Sequence, residues 1–125
     1  MNILTFIKVT DLKPVKQPGI NIIVRIIAKN EPRTVNTKFG KSRVCDFKVG
    51  DETGTTTLSL WGTKINEVNF GDLVKIEEGY CNVWQGMPQI SIGRNGTMTI
   101  IEDENFPDAQ TILNKFLEES TEDDE

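Results

Sequence analysis

Most of the side chains that carry enzyme chemistry are missing from this sequence or stand alone in it. Its 125 residues contain no histidine, which removes Ser–His–Asp and Cys–His catalysis and every histidine-ligated metal site. The two cysteines, Cys45 and Cys81, are far apart in the chain, whereas a structural zinc site needs about four ligands. We therefore expect both thiols to be buried as small hydrophobic groups in a reducing compartment, and we expect no metal and no cofactor.

Glu77 and Glu78 form the remaining candidate for a catalytic metal site. They fall within a predicted strand, where neighbouring side chains point to opposite faces, so their carboxylates do not converge on one ion. The sequence also lacks a glycine-rich phosphate loop. Together these features predict a protein that is not an enzyme.

The large aromatic residues Trp61, Tyr80 and Trp84 include both tryptophans and the only tyrosine of the chain. Strand alternation places Leu58 and Leu60 on one face of their strand and Trp61 on the opposite, hydroxyl-lined face. The same alternation gives Tyr80 and Trp84 a polar face. Exposed aromatic rings on one sheet are suited to stacking with unpaired bases. The alternative is that a helix, a loop or a partner protein covers them.

Six basic residues lie in or beside the first two predicted strands. Only Glu31 and Asp46 oppose them within residues 29–48. Such a segment can neutralise phosphates and release their counterions, although a solvated charged hairpin has the same pattern. The six residues are Lys29, Arg33, Lys38, Lys41, Arg43 and Lys48.

Charge is distributed unevenly along the chain, whose formal net charge is −5. Residues 1–101 hold 13 basic and 9 acidic residues, whereas residues 102–125 hold ten acids and only Lys115. A mildly basic body thus carries an acidic tail. This asymmetry indicates either a body that binds polyanions or an interaction tail, and a solubilising tail is the alternative.

Strand patterns dominate the body and predict an all-β fold. About five strands separated by turn residues indicate a small barrel or sandwich, with a bulge or bend at Gly79. Residues 62–71 could form a short helix or a loop, and the five-stranded Greek-key barrel with its connection at this point is the OB-fold. The strand-like segments are 20–29, 42–49, 54–61, 73–84, 88–93 and 97–101.

The C-terminal segment has a helical pattern instead. Asp108 can cap a helix after Pro107, and an apolar stripe and an acidic run, 121–125, follow. We therefore divide the chain into an OB domain, 1–103, and an acidic C-terminal segment, 104–125, with a short amphipathic helix. We favour a partner protein or self-association as the cover of the stripe, with docking on the barrel as the alternative. The stripe is Ile112, Leu113, Phe116 and Leu117.

A series of short motifs in the body carries a family resemblance. In this order and spacing, they resemble the simple single-OB single-stranded DNA-binding proteins of archaea. They are also similar to the eukaryotic relatives in the sensor-of-single-strand DNA complex. The resemblance covers roughly residues 5–103. The motifs occupy residues 11–14, 37–40, 49–54, 58–62, 71–76, 80–86 and 92–94.

The resemblance implies that Trp61, Tyr80 and Trp84 stack bases, and that Arg33, Lys38 and Arg94 contact the strand. Lys41, from the basic segment, completes the expected binding set. The expected ligand is single-stranded DNA, bound without sequence specificity during replication, repair and recombination. Single-stranded RNA binding and a role as an OB-fold adaptor between proteins remain the alternatives.

The expected setting is intracellular and cytoplasmic, at the nucleoid, without a membrane. No apolar run approaches the roughly 20 residues of a membrane span, and residues 1–8 lack a secretory signal pattern. We expect a monomer or weak self-association, with replication or repair proteins as partners of the C-terminal segment.

Overall fold

Seven strands form one sheet that closes on itself. The computed structural model describes residues 5–117, without the side chain of Leu117. The strands are β1 (Gln17–Lys29), β2 (Arg33–Thr37), β3 (Gly40–Asp51), β4 (Gly54–Trp61), β5 (Leu73–Trp84), β6 (Met87–Ser91) and β7 (Thr97–Ile101).

Five of these strands close the barrel, in the order β1-β3-β4-β6-β5 with β5 returning to β1. The β4–β6 pair is parallel and the other pairs are antiparallel. A 3₁₀ helix, Gly62–Glu67, occupies the connection between β4 and β5. This arrangement is the OB-fold, as the strand pattern predicts. β2 and β7 lengthen the sheet outside the barrel by pairing with β3 and β5.

Alternating apolar side chains from the five barrel strands fill the interior. Leu58 and Leu60 of β4 are buried as expected, together with Ile76 of β5 and Ile90 of β6. Removal of these side chains from water is the main driving force for closing the barrel. Because each barrel strand has one face in this core, its opposite face lies on the outside of the barrel.

Both cysteine side chains lie in the core, which confirms their expected role as small hydrophobic groups. The Cys45 thiol lies 3.2 Å from the carbonyl oxygen of Asn30, and the Cys81 thiol lies 3.5 Å from that of Lys13. Burial raises the pKa of both thiols above the ordinary value, which keeps them protonated and unreactive.

Two local features of the strands bear on the sequence predictions. Strand β2 was not predicted, because its residues are exposed or half-buried and carry no core-facing pattern; it is stabilised by pairing with β3 from Arg33 to Thr37. The predicted irregularity at Gly79 is confirmed. Ile20 pairs with Gly79 whereas Ile22 pairs with Ile76, so β5 has one extra residue here, which forms a bulge.

The C-terminal segment packs on the outside of the barrel. Helix α1 (Ala109–Ile112) continues into a π-helical turn (Leu113–Leu117), and Asp108 caps its start by accepting a hydrogen bond from the Thr111 N–H at 2.9 Å. Ile112 is buried against Ile27 of β1. The other side chains packed into this small cluster are Ala109, Phe106, Leu113 and Phe116.

This packing corrects the expectation that the apolar stripe awaits a partner or a second copy. A register shift between Ile26 and Ala28 disturbs the alternation of β1, so that Ile26 and Ile27 are both buried. Ile26 belongs to the barrel core, while Ile27 belongs to the cluster that the helix covers. The barrel itself thus provides an apolar surface for the helix.

Arg25 of β1 holds the segment of the chain that leads into this helix. Its Nε donates to the Pro107 carbonyl at 3.0 Å, and its two terminal nitrogens donate to the carbonyls of Gly71 and Phe106 at 3.1 Å each. The guanidinium carbon also lies 5.5 Å from the centre of the Phe106 ring. One side chain thereby joins β1, the β4–β5 connection and the C-terminal segment.

The turn between β3 and β4 has a structural role. The buried Asp51 carboxylate accepts hydrogen bonds from the backbone N–H of Val9 at 2.9 Å and of Thr53 at 2.8 Å. It also accepts the Thr53 hydroxyl at 2.6 Å. The motif at residues 51–54 therefore anchors the chain before β1 to the barrel.

The acidic run at residues 121–125 and the side chain of Leu117 lie outside the described residues. Within residues 5–117, no helix has the length and apolar character needed to cross a membrane.

Candidate nucleic-acid interface

The outward faces of β4, β6 and β5 form a polar groove with an aromatic residue towards each end. We call this surface the groove. Trp61 closes β4 at one end, and Trp84 closes β5 at the other. The groove runs along β4 from Thr55 to Trp61. These two residues are six positions apart, which corresponds to about 20 Å in an extended strand. Paired residues form rows across β4, β6 and β5. Two rows cross all three strands, Ser59–Ser91–Tyr80 and Thr57–Gln89–Asn82, and a third row, Met87–Trp84, crosses β6 and β5 only.

At one end of the groove, Trp61 borders a depression of about 180 Å³. The Trp61 side chain is 45% exposed, as the strand alternation predicts, while Tyr80 is partly buried in the neighbouring row. The floor of the depression is polar. Its lining includes Arg33, Ser59, Asn82, Gln89 and Ser91.

At the other end, Trp84 borders a depression of about 530 Å³. Trp84 is 61% exposed and pairs with Met87 across a two-residue turn. Both central residues of the turn, Gln85 and Gly86, have positive φ, at 52° and 80°, as type I′ hairpin turns require. Lys48 and Gln89 also line this depression, and Gln89 belongs to both. Gln89 therefore lies between the two depressions of the groove.

Arg33 is held in place by an acidic residue on the adjacent strand. Its guanidinium donates to the Asp46 carboxylate at 3.1 Å, and the other oxygen of that carboxylate accepts the Ser59 hydroxyl at 2.7 Å. The ion pair is partly exposed, with side-chain exposures of 56% for Arg33 and 22% for Asp46. An ion pair of this kind contributes little to stability. It orients the planar guanidinium, which lines the same depression as Trp61.

The remaining predicted basic residues occupy different places. Lys41 lines a depression of about 660 Å³ that also contains Trp61, Arg43 and Lys64. Arg94 is exposed and follows Gly93, which lines a further depression with Trp61. Lys38 is farther away, in the turn between β2 and β3. The structure thus gathers Arg33 and Lys41 at the Trp61 end and leaves Lys38 apart.

Several residues of the groove were not singled out from the sequence. Lys64 borders two depressions beside Trp61, but its direction depends on the 3₁₀ helix that carries it. Lys48, one of the six basic residues of the sequence analysis, and Asp46, one of the two acids opposing them, both lie on the outward face of β3, as strand alternation predicts. Asn82 and Gln89 lie between the aromatic residues, and only the pairing of β5 with β6 brings them together.

The side chains of the groove are suited to binding. Within residues 5–117, no group of three or more acidic or cysteine side chains could hold a metal ion. Glu77 lies 3.9 Å from the Lys75 amine, and Glu78 is exposed at the bulge. Aromatic rings, hydroxyls, carboxamides and flanking cations are the groups that bind single strands through stacking and phosphate contacts.

Comparison with known proteins agrees with this geometry. Residues 12–100 match the family model described as "Single-stranded DNA binding protein Ssb-like, OB fold". The chain is 32% identical over 105 residues to the single-stranded DNA binding protein Ssb of Saccharolobus solfataricus, covering 84% of this chain and 70% of that protein.

Solved structures share the fold. An OB domain from Thermoplasma acidophilum superposes with a TM-score of 0.67 at 18% identity, covering 82% of this chain and 91% of that one. A chain of a replication protein A heterotrimer bound to single-stranded DNA gives a TM-score of 0.66 at 14% identity, covering 82% of this chain and 26% of that one. On the family match and the archaeal relative, the chain belongs to the Ssb-like, OB-fold family of single-stranded DNA-binding proteins.

Proposed function

We propose that this protein binds single-stranded DNA in the groove, without marked dependence on base sequence. The observation that carries the proposal is the placement of Trp61 and Trp84, both exposed, at opposite ends of one polar groove with basic residues beside each. Each base offers a face for stacking, so aromatic rings bind single strands with little regard to sequence.

The chemistry of the groove assigns separate parts to bases and backbone. Trp61, Tyr80 and Trp84 stack bases. Lys41 and Lys64 at one end, and Lys48 at the other, attract phosphates. Arg33, held by Asp46, lies where a guanidinium can contact either a base or a phosphate. The membership of the chain in the Ssb-like family supports this assignment.

A protein with this activity coats exposed strands during replication, repair and recombination. This role requires no catalytic step and places the protein with the chromosome inside the cell. Binding of replication or repair proteins to the C-terminal segment is a further part of the proposal, supported by the acidic character of residues 118–125.

A fluorescence titration tests the proposal, because both tryptophans of the chain lie on the groove. We expect quenching by dT oligomers and a log–log salt slope of about −0.7 for each phosphate contact. Stacking alone does not distinguish RNA from DNA, because it does not detect the 2′-hydroxyl. Titration with rU oligomers under the same salt conditions as the dT oligomers therefore measures the preference for DNA over RNA. Binding without quenching, or no binding at low salt, would refute the proposal.

A further inference from the structure

Strand β7 has a free edge on the side that faces away from β5. Among residues 5–117 it pairs with β5 alone, in unbroken antiparallel register from Thr97, opposite Glu77, to Ile101, opposite Leu73. Within this part of the chain, the backbone groups on the other side of β7 have no partner strand. Such an edge is a template for pairing with a further strand.

The edges of β7 and β2 differ in how well they are protected against pairing with another chain. Charged residues, prolines and bulges are the usual protection of an edge strand. β2 begins with Arg33, and its neighbour β3 carries Lys41 and Arg43, so two copies that met at β2 would oppose like charges. The five residues of β7 include no charge and no proline, and no bulge interrupts its pairing with β5. The β7 edge is therefore the one that admits strand addition.

Ile100 gives the β7 edge an uncovered apolar side chain. It lies opposite Val74 of β5, which is fully buried. It also has the same parity as Met98, which packs against the barrel core. Ile100 is nevertheless 45% exposed. It thus continues the core-facing side of the sheet to the free edge, where an apolar side chain on an added strand would cover it.

A second copy of β7, running antiparallel to the first, fits this edge. The two strands overlap completely only when Thr99 lies opposite Thr99 of the second copy. In that register Met98 lies opposite Ile100 of the second copy, which extends the apolar row that begins at Ile76. If the strands were centred on Ile100 instead, Met98 would lie opposite Glu102. The apolar pattern therefore selects the register centred on Thr99.

The charges that flank β7 are complementary in the same register. Three acids follow the strand, and Arg94 lies in the turn before it. Within residues 5–117, none of these four side chains forms an ion pair. Antiparallel pairing brings the acids of each copy towards the Arg94 turn of the other, which favours this direction of the strands. A second copy thus supplies both the apolar side chain and the cation that suit this edge. The three acids are Glu102, Asp103 and Glu104.

We propose that this protein self-associates through β7, as a two-fold symmetric dimer in which two barrels share one continuous sheet. Because only five residues of each copy pair, the contact is small and the dimer is weak, forming at high protein concentration. No residue of β7 lines either depression of the groove, so the pairing does not use the groove. The inference goes beyond the proposed function and does not depend on DNA binding.

Engineered cysteines test the register. In the proposed dimer Thr99 lies directly opposite its own equivalent, at a Cα–Cα distance of about 4.5–5.5 Å, which a disulfide can span. Thr97 lies opposite Ile101 of the second copy, so the two copies of residue 97 are at least about 13 Å apart. We expect Thr99→Cys to form a disulfide-linked dimer with oxidised glutathione, and Thr97→Cys not to. The native Cys45 and Cys81 do not interfere, because both are buried.

Solution mass as a function of concentration tests the dimer without engineered thiols. The wild type should pass from 14.1 kDa towards twice that mass as the protein concentration rises. We expect Ile100→Lys to raise the dissociation constant of the dimer by about tenfold or more, because a charge replaces the apolar side chain at the contact. Phe70→Lys is the matched control, since Phe70 is 62% exposed but lies in the β4–β5 connection, and it should dimerise like the wild type. Thermal unfolding should show that both variants are folded.

The outcomes that contradict the proposal are distinct. A wild-type mass of 14.1 kDa at every concentration, with no cross-link in Thr99→Cys, would overturn it. Equal cross-linking of Thr99→Cys and Thr97→Cys would also overturn it, as would equal dimerisation of Ile100→Lys and wild type, because the association would then use another surface. None of these outcomes affects the proposed function, which the DNA titrations test separately.

Discussion

Trp61 and Trp84 lie on faces that the barrel core does not use, so their removal should affect binding and spare the fold. We expect Trp61→Ala and Trp84→Ala each to weaken binding to single-stranded DNA by about 1–3 kcal/mol, the contribution of one stacked base. Titration with a long dT oligomer measures this loss, and thermal unfolding measures stability. A variant that unfolds would show that its ring supports the fold and would remove it from the binding set.

Arg33 tests the division between base and phosphate contacts. We expect Arg33→Ala to lower affinity for all sequences alike and to reduce the salt dependence by about one phosphate contact. The substitution also leaves the Asp46 carboxylate without its 3.1 Å ion pair, next to the DNA. An unchanged salt slope would mean that Arg33 contacts bases.

The control for Arg33 is Asp46→Asn, which removes the opposing charge and keeps the side-chain shape. We expect this variant to bind more tightly at low salt, because one negative charge has left a surface that binds a polyanion. Weaker binding would show that Asp46 acts mainly by holding Arg33 in position.

At the level of elements, Arg25 is the link between the barrel and the C-terminal helix. Arg25→Met keeps the length of the side chain but removes its three hydrogen bonds to the carbonyls of Gly71, Phe106 and Pro107. We expect a loss of about 2 kcal/mol in the free energy of unfolding, in line with hydrogen bonds from a charged group. Denaturant unfolding measures this loss.

DNA affinity should not change in Arg25→Met, because Arg25 lines neither depression of the groove. Lys115→Ala is the matched control. Lys115 donates one exposed hydrogen bond, to the Glu52 carbonyl at 2.9 Å, and its removal should cost little. A large loss of DNA affinity in Arg25→Met would indicate that the docked helix shapes the groove.

For the whole molecule, the uneven charge of the chain predicts competition between its acidic end and DNA. Residues 118–125 contain six acids and no basic residue. Acidic side chains and phosphates compete for the same lysines and arginines. We expect replacement of the six acids by Gln and Asn to strengthen DNA binding, chiefly at low salt, where screening is weak.

Neutralisation of the six acids tests this competition more directly than deletion of residues 104–125 would. The deletion would also remove Phe106 and Ile112, which pack against the barrel. Solution mass should be compared as well, since loss of charge can promote association. Equal affinity of the two proteins at low salt would exclude autoinhibition by these residues.

The features that depend on local pattern could be predicted from the amino-acid sequence. Alternation in β4 assigned Leu58 and Leu60 to the core and Trp61 to the opposite face. The turn residues and the order of strands predicted the OB-fold, Gly79 predicted the bulge, and Asp108 predicted the helix start. Each of these follows from the chemistry of one residue or from the period of one strand.

The features that depend on pairing between distant segments became visible only in the folded chain. Strand β2 has no core-facing pattern and exists because β3 pairs with it. The C-terminal helix docks because a register shift in β1 leaves Ile27 buried outside the barrel core, next to Ile112. The groove likewise requires β4 beside β6 and β6 beside β5, which the chain alone does not specify. Local periodicity fixes which face a side chain takes, whereas the partner of that face is chosen by contacts far apart in sequence.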